Sequence, residues 1–377
     1  MLWTLATLVV ARLLRGGDPR LWLLFGALAG IGLETKHSML FFGLGIFAGL
    51  LLTPARQAFR SPWIWLGGGL AVLLFLPNVL WQVAHGWPTL EFLHNAQTQK
   101  NLPLGALDFF RQQIIPMQPL SLPIWLTGLG WYFFARRGRE LRALGWAFLV
   151  VVAVLLLNHA KGYYLGPAFP MLFAAGAVAA EAATARARRP RPVMVALLLA
   201  AGAVTAPLTL PVLAVDDFIR YQAWLGVRPN SPERKAVSNL PQQYADMFGW
   251  PEMAREVARV YHSLPAERRA RACVYGQNYG EAAAVEQLGS SFGLPADLPV
   301  LSGHNSYYLW GPGRCDGTTL IVIGGSEDEG RRLCNQLACA GTIHSRHAMP
   351  YEKDLPVWTC RLDRPMASFW QSAKSYD

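Results

Sequence analysis

Four polar residues, Glu34, Thr35, Lys36 and His37, interrupt an apolar run between LWLLFGALAGIG and SMLFFGLGIFAGLLL. A lysine there is a compact point charge suited to an anion such as phosphate, and His37 is a second donor. Glu34 beside them either holds Lys36 in place or works as an acid or base. A second group, NHAKGYYLGPAFP at 158–170, joins Lys161 to Tyr163 and Tyr164. A phenol can donate to a phosphate oxygen, and its ring can stack on a sugar face. A third, WQVAHGWPTLEFLHN at 81–95, offers Trp87 and Glu91 beside Trp81, His85, His94 and Asn95. Each group also has a plainer reading. The first is a polar turn with a snorkelling lysine, the second an aromatic belt, and the third amphipathic surface packing.

The elements that carry these groups are membrane helices. Hydrophobic residues make up 53% of the 377 and charged residues only 15%. The apolar residues come in blocks close to the roughly 20 that cross a hydrocarbon core of about 30 Å. Eight such segments stand out, at 1–14, 21–33, 38–52, 62–81, 121–135, 143–157, 165–182 and 193–213. The fold expected is a polytopic α-helical membrane domain over 1–214, with an amphipathic outer loop at 82–120 lying on the membrane surface.

The net charge of +10 does not mark a nucleic-acid partner, because of where it sits. Residues 1–214 carry 17 Lys and Arg against 6 Asp and Glu, whereas 215–377 carry 17 against 18. The excess lies in alternate short loops of the apolar half. Arg12, Arg15, Arg20, Arg56, Arg60, Arg136, Arg137, Arg139, Arg142, Arg186, Arg188, Arg189 and Arg191 fall on one side. Lys36, Lys100, Arg111 and Lys161 fall on the other. Basic loops stay in the cytoplasm. This places 34–37, 82–120, 158–164 and everything after 214 outside. The first segment would then begin outside and is short for a span, so the sequence is expected to be an N-terminally shortened form of a longer protein.

Residues 215–377 read as a separate, soluble α/β domain with some parallel strand pairing. MAREVARVYHSL is an amphipathic helix, RACVYG and TTLIVIGG are strands, and EAAAVEQLG and EDEGRRLCNQL are helices. LACAGTIHS and VWTCRLD complete the strands. All five cysteines lie in this tail, which suits disulfides outside the cytoplasm, with Cys334–Cys339 or Cys315–Cys360 as candidates. Neither a CxxC nor a tight Cys/His pair is present, so no metal is expected. The Gly-rich turns in YGQNYGEAAA and IGGSEDEGRR match neither phosphate-binding motif and read as structural.

Taken in order, GLETKHSMLFFGLGIFAGLLLTPAR, LPNVLWQVAHGWPTLEF and KGYYLGPAFPMLFAAGA resemble family 39-type glycosyltransferases, the membrane enzymes related to protein O-mannosyltransferases and the lipid A aminoarabinose transferase. LPQQYADMFGWPEMAREVARVYHSLP and NYGEAAAVEQLG with GHNSYYLWGP are similar to the C-terminal domain of bacterial members. The resemblance implies a partial GT-C bundle in a bacterial cytoplasmic (inner) membrane, with its C-terminal domain extracytoplasmic. It implies a sugar taken from a polyprenyl-phosphate carrier and passed to an envelope acceptor (lipid, glycan or protein), without a cofactor. It places Lys36 and the Lys161, Tyr163 and Tyr164 cluster near the carrier phosphate; from the reading of the residues themselves His37 joins them as a second donor, with Glu34, Trp87 and Glu91 supporting. Family members keep a catalytic carboxylate in the first outer loop, which this sequence does not contain. Catalysis by this polypeptide alone is therefore expected to be weak, and no catalytic residue is assigned. The alternatives are a non-catalytic membrane protein that binds the lipid carrier or supports envelope assembly and, less favoured because no repeat is visible, a transporter.

Overall fold

A computed structural model describes residues 1–185 and 190–376, so Arg186, Arg188 and Arg189 of the basic loops lie outside the described residues. The chain forms two compact units, Met1–Gly86 with Pro103–Val212, and Trp87–Leu102 with Leu213–Asp377. The stretch 82–120 is thus divided between them.

In chain order the first helices are α1 (Leu2–Leu14), α2 (Leu21–Thr35), α3 (Met39–Leu51) and α4 (Pro62–Ala84). Next come α5 (Pro88–Asn95), which belongs to the second unit, and α6 (Ala106–Ile114). The first unit continues with α7 (Leu122–Phe134), α8 (Arg142–Leu157), α9 (Phe169–Ala183) and α10 (Pro190–Thr205). Every apolar segment expected from the sequence is helical over most of its length. With their flanking turns, Pro62–Ala84, Arg139–Leu157, Gly162–Ala183 and Pro190–Leu208 are each long and apolar enough to cross a membrane. A fifth crossing is available if Met39–Leu51 counts together with Pro54–Arg60, which is bent from it by 108°. The protein is a multi-pass membrane protein.

Inside lipid the hydrophobic effect cannot hold helices together, so close backbone approach at small residues does that work. A Cβ on Gly26 of α2 would overlap the carbonyl oxygen of Gly67 in α4, and one on Gly128 of α7 would overlap that of Leu172 in α9. Around these seams the side chains of Phe42, Leu50, Leu144, Val151, Leu155 and Leu172 are fully enclosed. Outward faces are apolar as well. On α4, Trp65, Val72 and Leu73 are more than 60% exposed, which suits contact with acyl chains.

The second unit adds α11 (Val215–Trp224), α12 (Gln242–Ala245), α13 (Trp250–Ser263), α14 (Ala266–Arg269), β1 (Ala272–Gly276), α15 (Tyr279–Leu288) and β2 (Val300–Leu301). It continues with α16 (Ser306–Trp310), β3 (Thr319–Ile323), α17 (Glu327–Leu333), β4 (Cys334–Ile343) and β5 (Leu355–Leu362), and α18 (Met366–Phe369) follows. The sheet order is β2-β1-β3-β5-β4. β1 runs parallel to β2 and β3, and β5 pairs antiparallel with β3 and β4. Alternation along the strands sends Val274, Ile321, Ile323 and Val357 to one face, under Val257 and Tyr261 of α13. Cys273, Leu320 and Cys360 go to the other face, beside Met366 and Trp370.

Two sequence expectations are corrected here. The helix through EDEGRRLCNQL stops at Leu333, because Cys334 is already in register with Leu362 of β5. The disulfides are Cys273–Cys315 and Cys334–Cys360, and Cys339 is free and exposed. Cys334 and Cys339 share one extended strand, and five residues at about 3.3 Å each hold them too far apart to bond. The bonded pairs have Cα separations of 5.9 and 5.6 Å.

Residues 87–102 are built into the second unit at both ends. Glu91 Oε2 lies 2.6 Å from Lys374 Nζ, and Asn95 Nδ2 donates to the Tyr376 carbonyl at 2.6 Å. Asn101 bridges antiparallel to Glu233, and the Arg234 amide donates to the Lys100 carbonyl at 2.9 Å.

Candidate functional site

The turn that opened the sequence question is shorter than GLETKHS suggests. Helix α2 runs through Glu34 and Thr35, and the turn itself is Lys36–Ser38. The Lys36 amide closes α2 by donating to Gly32 O at 2.8 Å, and the Met39 amide starts α3 by donating to Lys36 O at 3.1 Å. Lys36 itself is extended (φ −161°, ψ 126°), so its side chain leaves the helix path.

That side chain meets the second polar group. Lys36 Nζ stands 4.7 Å from the Tyr164 ring centroid and 5.4 Å from that of Tyr163. The two rings are 4.6 Å apart and inclined at 66°. An ammonium over two phenol faces gains about 0.5–1 kcal/mol per ring at an exposed site. It still keeps its three hydrogen-bond donors for another partner. Among the described residues Lys36 forms no ion pair. Glu34 does not hold it: positions two apart at a helix end do not face each other, and Lys36 has already left the helix.

Lys161 opens a 3-10 turn, Gly162–Ala168, that presents both tyrosines. The buried Gln113 of α6 fixes this turn, its Nε2 lying 3.1 Å from Gly162 O and 2.9 Å from Phe109 O. Gly162 packs closely here: a Cβ would come within 2.6 Å of Gln112 Oε1, the end of a side chain that can shift. The sequence offered one signal for this role: the apolar face of ALDFFRQQI, with Phe109 and Gln113 four apart, requires a partner.

The remaining expected residues lie elsewhere. The His37 ring packs edge-on against Phe75 of α4, 5.7 Å between centroids. Trp87 and Glu91 belong to the second unit, where Trp87 starts α5 in a left-handed conformation (φ 61°) and Glu91 pairs with Lys374. Lys36, Tyr163 and Tyr164 thus come together through their side chains, and Lys161 joins them through its carbonyl, which accepts from the Tyr164 amide at 3.1 Å.

In the second unit each of the two Gly-rich turns leads into a capped helix. Asn278 caps α15 by accepting from the Glu281 amide at 3.0 Å, and Ser326 and Glu329 form a capping box on α17. No sequence pattern points to the acids gathered nearby. Glu281 is 3% exposed and accepts from Gln277 N at 2.6 Å and Asn278 Nδ2 at 2.9 Å. Burial, with the Glu352 charge adding to it, pushes its carboxyl up to about 7. Glu352, 5% exposed, is also pushed up to about 7, by burial and then by Asp246.

The helices define a multi-pass membrane protein that holds an exposed cation over two tyrosines. Residues 1–81, which take in α1 to α3, most of α4 and the Lys36 turn, match the family model of the dolichyl-phosphate-mannose-protein mannosyltransferases. The likeness covers residues 1–81 and is to glycosyltransferases that use a lipid-linked sugar. No curated protein and no solved structure matches the chain.

Proposed function

We propose that this protein transfers a sugar from a polyprenyl-phosphate carrier to a cell-envelope acceptor, and that Lys36, framed by Tyr163 and Tyr164, holds the carrier phosphate. The observation that carries the reading is the Lys36 ammonium, 4.7 and 5.4 Å from two ring centroids and in no ion pair among the described residues. In the transfer, an acceptor oxygen bonds to the anomeric carbon as the bond from that carbon to the phosphate oxygen breaks. The electron pair stays on the phosphate, which gains negative charge, and the acceptor proton passes to a base. A cation fixed beside that oxygen is bound more strongly as its charge grows, so Lys36 acts on the leaving-group side. Tyr163 and Tyr164 restrict the ammonium and add hydroxyl donors.

The charge alternation and the two disulfides support an extracytoplasmic position for the second unit, in a bacterial cytoplasmic membrane. Parity adds an independent constraint. Residues 87–102 and 213–376 fold into one unit, which supports an even number of crossings between them. Three long apolar helices lie between them, at Arg139–Leu157, Gly162–Ala183 and Pro190–Leu208. On this reading α7 supplies the fourth crossing: with the preceding turn Pro119–Ser121 it extends to about 24 Å, and it is seamed to α9 through Gly128 and Gly176.

The test is transfer of labelled sugar from a polyprenyl-phosphate donor by the full chain in lipid nanodiscs, with Lys36→Gln alongside. Binding and turnover that both fall in the variant support the reading. Donor binding without turnover in the parent protein identifies a carrier-binding protein instead, and donor binding indifferent to Lys36 overturns the assignment.

A further inference from the structure

The second unit carries a cavity at the amino end of β1, away from the acids described above, with a volume of about 450 Å³. Three arginines line it, Arg269 at the end of α14, Arg271 just before β1, and Arg314 in the loop after α16. Two of them are engaged. Arg271 pairs with Asp316, and Arg314 Nη2 lies 2.7 Å from Asp297 Oδ2. Arg269 is half-buried and, among the described residues, forms no ion pair. Pro295, Leu298 and the buried Tyr261 supply apolar wall. The Cys273–Cys315 disulfide joins the two segments that carry Arg271 and Arg314, so the spacing of the basic groups is held covalently.

Three cations against two carboxylates leave one positive charge inside a concave, partly apolar site. The hydrogen bond from Arg314 holds the Asp297 carboxyl below the usual range, so Asp297 stays ionised and Arg314 stays neutralised. Burial raises the Asp316 carboxyl, but hydrogen bonds from Thr318 and Arg271 outweigh it and keep that acid ionised as well. The unmatched guanidinium is a planar fork that fits an oxyanion in bidentate fashion. The cavity is within the range that encloses a small organic ligand, and much larger than a bare ion needs. The carboxylates of Asp297 and Asp316 can accept from hydroxyls, and the proline and tyrosine surfaces suit a ring face.

From these observations we infer that this cavity binds a sugar bearing one oxyanion, a carboxylate or a phosphate, with Arg269 gripping the charge and the two Arg–Asp pairs contacting the hydroxyls. The inference does not depend on the reading of Lys36, because the two sites lie in different units and their variants fail separately.

The experiment is titration calorimetry on the full chain in phosphatidylcholine nanodiscs with glucuronate, glucose 1-phosphate, glucose and inorganic phosphate as probes. Saturable binding of at least one charged sugar is expected, with glucose at least tenfold weaker. The charged sugar that binds identifies the oxyanion. Arg269→Gln should weaken that binding at least tenfold and Arg269→Lys less, while Arg331→Gln on α17, which breaks a remote pair with Glu327, should leave it unchanged. Absence of saturable binding by both charged sugars overturns the inference. So does glucose or inorganic phosphate binding as tightly as the charged sugars, or indifference to Arg269→Gln.

Discussion

Glu281 and Glu352 give the second unit a pH dependence opposite to that of an ordinary paired carboxylate. Both carboxyls are raised from 4.5 to about 7 by burial, and each is raised further by a neighbouring acid. The charged groups facing them are Asp246 and Lys235, with Glu233 and Tyr351 beside Asp246. In the folded protein these acids hold their protons up to about pH 7, whereas in the unfolded chain they release them near 4.5. Their contribution is therefore fully present below about pH 4.5 and is lost as pH rises to about 7. For one such group a shift of this size is worth on the order of 3 kcal/mol. The two are coupled, so together they contribute less than twice that. Hydrogen exchange of the β1 and β3 amides in the full chain, corrected for intrinsic exchange, should show protection falling by roughly two to four orders of magnitude between pH 5 and 8 if these strands open with the unit. Glu352→Gln should remove about half of the slope and raise protection at pH 8. Protection that rises with pH, or a slope unchanged in Glu352→Gln, would refute the argument.

Packing and topology each supply another test. Gly67 and Gly68 are neighbours on α4, yet a Cβ on Gly67 overlaps the Trp22 carbonyl while one on Gly68 meets nothing within 4 Å. Gly67→Ala should lower stability by about 1–3 kcal/mol in thermal unfolding from detergent, and Gly68→Ala should be neutral; equal effects would contradict the seam. In a Cys339→Ser background, impermeant thiol reagents on whole cells should label cysteines placed at Lys100, His159 and Lys353 alike but not one at Arg137. Labelling at Arg137 together with Lys100 would remove α7 as a span.

The helices and the lysine could be read from the sequence because each depends on local pattern. An unbroken apolar run near the thickness of a bilayer is rare outside a membrane span, and a lysine within it must find water, an anion or an aromatic face. The turn at 158–168 was legible for the same reason, through the adjacent tyrosines. What could not be read depends on pairing between distant segments. Nothing local in PTLEFLHN says that Glu91 answers Lys374 or that Asn95 answers the carbonyl of Tyr376. The disulfides follow strand order and register: Cys360 lies on β5, beside β4, and bonds to Cys334, whereas Cys315 is drawn to Cys273 on β1. β2 has only two residues, too few for an alternation to show. Glu281 has the sequence setting of an ordinary exposed helix-start acid, and nothing local says that it is 3% exposed or that the Glu352 charge acts on it.

The central claim is that Lys36 holds the carrier phosphate. Its most direct test compares binding of a polyprenyl phosphate and the matching uncharged polyprenol to the full chain in phosphatidylcholine nanodiscs, in the parent protein and in Lys36→Gln. A charge-assisted contact of about 1.5–3 kcal/mol predicts a phosphate preference that drops by about 10- to 100-fold in the variant, with polyprenol binding unchanged. A phosphate preference that survives Lys36→Gln intact would contradict the account.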